Sequence, residues 1–160
     1  MALLAALCAP LAGQMTPGQR LADFEQLAAL VSKAYAPYEW KRDAFGFDAL
    51  QIGSWMERVK AARNDVEFWE ICAEYVASLR DLHAGFQMRS DFVAEIGIYV
   101  DLYDGKPLIE FIDRRELPES QYPFEIGDEI VSVDGVTPEQ WMERVSRQQS
   151  FANPSATRRW

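Results

Sequence analysis

The sequence predicts an α+β fold: three helices in the amino-terminal half, then a small β domain closed by a capped helix. Three observations predict it. Before residue 83, apolar side chains recur at intervals of three and four. From Ile96 to Tyr103 the period changes to two. The tetrad Thr137-Pro138-Glu139-Gln140 then repeats the helix-start grammar of Thr16-Pro17-Gly18-Gln19, with a capping threonine, a first-turn proline and a glutamine that can reach back.

Composition narrows the function. A net charge of −9 disfavours a nucleic-acid partner, because phosphate binding needs clustered Lys and Arg not offset by carboxylates. Cys8 and Cys72 are too few for a disulfide framework, and no Cys/His cluster has metal-site spacing. No metal, cofactor or phosphate-binding loop is therefore expected. The apolar run Ala2 to Gly13 has the length of a signal-peptide core rather than of a membrane span. Residues 1–14 are read as a signal peptide and the protein as exported, periplasmic or extracellular; the alternative is an apolar terminus packed on the body. Leu7 before Cys8 argues against a lipid attachment site, where a small residue is required.

Taken in order, Leu21, Phe24, Ala28, Val31 and Tyr35 form the stripe of a helix of about five turns, ended near Pro37. Tyr38 to Asp48 is aromatic but aperiodic and reads as a packed connector. A second helix spans about Leu50 to Arg63, with Trp55, Met56 and Val59 inward. Asn64 or Asp65 caps the third, whose inner face holds Phe68, Ile71, Cys72, Tyr75, Leu79 and Leu82. Cys72 is read as a small buried hydrophobe. Gly85 is expected to take the left-handed stop conformation.

Asp104-Gly105 makes a hairpin turn between Ile96–Tyr103 and Pro107–Ile112. Residues Asp113 to Pro123 read as an exposed loop. Within Glu125 to Gly135, Gly127 suits a positive φ, Ile130, Val131 and Val133 suit a half-buried strand, and Asp134-Gly135 is turn chemistry.

A Gly-Asp loop, a strand ending in Val-Asp-Gly and a capped helix resemble a circularly permuted PDZ domain of bacterial peptidases. The pattern Leu79-x-Asp81-x-His83-x-x-Phe86, at the end of a helical region that precedes such a domain, resembles the carboxy-terminal-processing, or tail-specific, serine peptidase family. That resemblance implies a helical region over 16–90, a PDZ-like domain over 92–148, and at 149–160 the start of a truncated catalytic α/β core. It also implies a peptide or protein substrate laid as a strand along Gly97, Ile98, Tyr99 and Val100, with Trp141, Met142 and Val145 lining the groove. Glu95 departs from the family pattern, since a carboxylate there would repel a peptide C-terminus.

His83, the only histidine, is the only side chain whose ordinary pKa lies near neutrality. Some branches of the resembling family use such a histidine with a core serine; others use a serine-lysine pair, for which His83 would be structural. No serine here lies in a strand-turn-helix elbow, so this chain alone is expected to be inactive. Three functions follow: the substrate-receiving part of a tail-specific serine endopeptidase, a non-catalytic peptide-binding scaffold, or an inactive relative whose core lost its nucleophile. The oligomeric state is not legible.

Overall fold

A computed structural model of the chain describes residues 13–87 and 94–149. Residues 1–12 of the expected signal peptide and the segment 150–160 lie outside the described residues. The architecture is α+β, with five helices and one two-stranded antiparallel sheet among the described residues. Contacts divide the chain into two units, Met1–Cys72 and Ala73–Trp160.

In the first unit, α1 (Pro17–Ala34) begins with the expected capping box: Thr16 accepts from the Gln19 N–H while the Gln19 side chain accepts from the Thr16 N–H. It packs on α3 (Gly53–Ala61), where Phe24 and Val59 are fully buried and the Phe24 ring stacks on Trp55 at 6.4 Å. The start of α1 is tied to the start of α4 (Asp65–Ala77). The Asp65 carboxylate accepts from the Met15 N–H at 3.0 Å and faces the buried Arg20 guanidinium at 3.5 Å. Asn64 caps α4 by accepting the Glu67 N–H at 2.9 Å.

The expected connector after α1 is instead a helix, α2 (Tyr38–Phe45). It escapes a periodicity search because it buries no residue; Trp40 and Phe45 pair edge to face at 5.0 Å while both stay exposed. Gly46, left-handed at φ 65°, stops it, and Tyr38 Oη donates to Asp48 at 2.9 Å. Among the described residues the helical region thus has four helices rather than three.

The second unit holds the end of α4. Its stop is also not where Gly85 predicts it. The helix closes at Ala77, and Arg80 takes the left-handed conformation (φ 50°) after two tightened bonds, Leu79 N–H to Val76 O and Arg80 N–H to Ala77 O. Tyr75 and Leu79 are buried as expected, whereas Leu82, past the helix, is exposed.

Strands β1 (Ile98–Tyr103) and β2 (Lys106–Ile112) are joined by Asp104-Gly105, both with positive φ, the turn that matches strand twist. A bulge after Tyr99 inserts one extra residue, Glu110, between Ile109 and Phe111, the partners of Val100 and Tyr99, and Glu110 and Phe111 are neighbours on the bulged strand. Both face outward as a result, and Ile109 and Ile112 are both buried, a spacing of three that a regular strand would not allow.

The expected strand at Ile130–Val133 is not a continuous one. Glu129 bridges Leu108, Ile130 N–H donates to Pro107 O, and Val133 bridges Val136 across Asp134-Gly135. The run between these bridges is unpaired in the ladder, and Val131 is largely exposed. Thr137 and Gln140 form the second capping box, opening α5 (Pro138–Gln148).

Candidate functional site

The early close of α4 determines the geometry around His83. On a helix, residues two apart face different ways, so Asp81 and His83 could not meet. In the turn they do. One oxygen of Asp81, Oδ1, accepts the His83 backbone N–H at 2.9 Å and lies 3.2 Å from His83 Nδ1. A carboxylate only accepts, so this contact places the ring proton on Nδ1 and leaves Nε2 as the basic nitrogen. The Asp81 side chain is mostly buried (18 % exposed) while the imidazole is 90 % exposed. An imidazole held by a carboxylate through backbone and ring is an arrangement that can orient a base toward a nucleophile. The signal for the Asp81–His83 contact is the Asp-x-His spacing combined with a helix that has already closed at Ala77.

The residues expected to receive peptide fall on two elements of the second unit. Gly97 has φ 73°, a conformation that favours glycine, and a Cβ there would lie 3.0 Å from Leu117 Cδ1, so a larger residue would also have to displace the end of the Leu117 side chain. Gly97 O accepts the Asp113 N–H at 2.8 Å, fixing the entry to β1. Ile98 is half-buried, Tyr99 and Val100 are exposed, and the Tyr99 ring lies 5.4 Å from that of Phe111. Glu95, the residue that departs from the family pattern, is exposed two positions before Gly97.

On α5, Trp141 and Val145 are exposed, Met142 is half-buried, and the helix buries no residue. Its tie within the unit runs to the 133–136 hairpin, where Trp141 Nε1 donates to Val133 O at 3.5 Å. The hydrogen-bonded neighbour of β1 is β2.

Beneath Gly97 the expected exposed loop is an ordered one. Arg114 donates to the carbonyls of Leu117, Tyr122 and Phe124, and Asp113 accepts from the backbone and guanidinium of Arg115. The Arg115 contacts hold the Asp113 carboxyl down at about 2. An arginine within a charged run carries no sequence signal for such a role.

Among the described residues, no group of three or more His, Cys, Asp or Glu could hold a metal ion, and no helix is long and apolar enough to cross a membrane.

No protein-family model matches the chain. It is 29 % identical over 127 residues to the Chlamydia pneumoniae protein CPj1016/CpB1054, a match covering 76 % of this chain and 20 % of that protein. The crystal structure of mature CPAF has a similar fold, with a TM-score of 0.67 at 22 % identity over 89 % of this chain and 27 % of CPAF. The chain thus spans about a fifth to a quarter of the length of these proteins.

Proposed function

We propose that this chain is the amino-terminal part of an exported serine endopeptidase of the tail-specific type, in which the PDZ-like segment 92–148 receives the substrate peptide. The observation that carries the reading is the Asp81–His83 pair, a carboxylate-oriented imidazole presented to solvent. The likeness to mature CPAF supports it at the level of the fold. In this reading His83 Nε2 takes the proton of a serine hydroxyl supplied by a catalytic core outside this segment, and Asp81 stabilises the imidazolium that forms.

Substrate would enter as a strand beside Ile98–Val100, with backbone bonds giving affinity. A second reading, peptide binding without cleavage, is favoured by the exposed aromatic surface of β1.

Substitution in the longer protein that contains this segment separates the two. His83→Ala should lower kcat by about 100-fold or more, the usual scale for a lost general base, with folding intact by circular dichroism. Asp81→Asn should lower kcat while leaving KM little changed, because it disturbs the imidazole and not the peptide strand. Full turnover in a folded His83→Ala protein would make the histidine structural and remove the serine-histidine mechanism.

A further inference from the structure

The direction of the peptide groups along β1 follows from what β2 does on its far side. Ile109 donates its N–H to Asp128 O at 3.0 Å and accepts from Gly127 N–H at 2.8 Å, and Pro107 O accepts from Ile130 N–H at 2.9 Å. Ile109 and Pro107 therefore turn their backbone groups away from β1. Their register partners, Val100 and Leu102, are the non-hydrogen-bonded positions of the ladder, so their own N–H and C=O groups point to the outer edge. Among the described residues no strand lies along that edge.

The edge is not uniform. At Leu102 the outward N–H is already bonded from within the strand, to Asp101 Oδ1 at 2.7 Å. A carbonyl arriving there would meet a carboxylate instead of a donor. A Lys or Arg side chain arriving there would find an acceptor. Along the sequence, residues 94–112 carry four carboxylates (Glu95, Asp101, Asp104, Glu110) and one ammonium, Lys106, which is itself 3.0 Å from Glu129. The bulge adds an exposed surface in which the Tyr99 and Phe111 rings lie side by side and Tyr103 Oη donates to Glu110. Such a face accommodates the aliphatic stem and the charge of a basic side chain.

We propose, resting on the strand-addition reading above, that Asp101 is a specificity-determining residue. It ends the pairing of an incoming peptide at Val100 and selects peptides that bring Lys or Arg to the position beside Leu102.

The test uses the 160-residue chain and fluorescently labelled eight-residue apolar peptides in which Lys, Gln or Glu is stepped through each position, at low ionic strength. Three proteins are compared: the parent, Asp101→Asn and Val100→Pro. Proline fits an edge strand whose N–H points off the sheet, so Val100→Pro keeps the fold and removes the donor. Val100→Pro should abolish binding of every peptide. In the parent, Lys at one position should bind about fivefold tighter than Gln, and Glu about fivefold weaker, the scale of one exposed ion pair. Asp101→Asn should level that position alone.

Binding that is sensitive to Val100→Pro but blind to charge, or charge discrimination retained in Asp101→Asn, would overturn the role of Asp101 and leave strand addition standing. Absence of binding to the parent would overturn both. Amide exchange gives an independent reading: Leu102 N–H should exchange faster in Asp101→Ala than in the parent, and an unchanged rate in a folded variant would sink the proposal.

Discussion

Whether a side chain is reactive is decided by its surroundings, and Cys72 shows the inert extreme. It is 1 % exposed, and burial, with the Asp23 charge as a smaller cause, pushes the thiol up to about 12. A thiolate is then almost absent at neutral pH. In a Cys8→Ser chain, which removes the other cysteine, Cys72 should resist alkylation at pH 8 while folded and react at the rate of a free thiol in denaturant; rapid labelling of the folded chain would contradict its burial. Cys72 was legible in the sequence because it stands in register with Phe68 and Tyr75 on one helical face. Asp81 was not, because its contact with His83 depends on where the helix stops, and a left-handed arginine at position 80 leaves no mark comparable to a glycine.

At the scale of the element, both capping boxes were legible as four-residue strings, since each needs only side chains and amides three positions apart. Elements held by distant partners were not. The bulge in β2 is one such case, α2 with no buried face is another, and the junction of α1 with α4 is a third. That junction gives an asymmetric prediction. Asp65 accepts the Met15 amide, faces Arg20, and lies in the first turn of α4, where a negative charge is favoured. Asp65→Ala leaves a 6 % exposed guanidinium without this carboxylate and should cost about 2–4 kcal/mol. Arg20→Met removes the buried charge itself, including an Nε with no hydrogen-bond partner, and should fall within about 1 kcal/mol of neutral. Urea denaturation of the two variants measures both; equal destabilisation would mean that packing of the arginine stem, not the ion pair, sets the cost.

Over the whole molecule, the recurring feature is a carboxylate whose charged form is held by local donors. Asp113 is lowered to about 2 by the Arg115 side chain and backbone. Glu67 is lowered by Arg63, Asp48 by the Leu50 amide and the Tyr38 hydroxyl, and Glu139 by its own amide and Thr137 at the start of α5. Each is depressed in the folded state relative to the unfolded chain, where such groups titrate near 4 (about 3.9 for Asp). The sign follows from linkage: the unfolded chain binds protons first as pH falls, so these groups stabilise the fold above about pH 5 and lose that contribution progressively below it. For Asp113 the loss continues down to about pH 2. Thermal melts followed by circular dichroism should therefore show a Tm that is flat near neutrality and falls below about pH 5. Asp113→Asn should melt lower at pH 7, because its carboxylate bonds are gone at every pH, and should show a shallower decline between pH 4 and pH 2. A variant with the full acid slope of the parent would mean that the Asp113–Arg115 contact contributes nothing to stability.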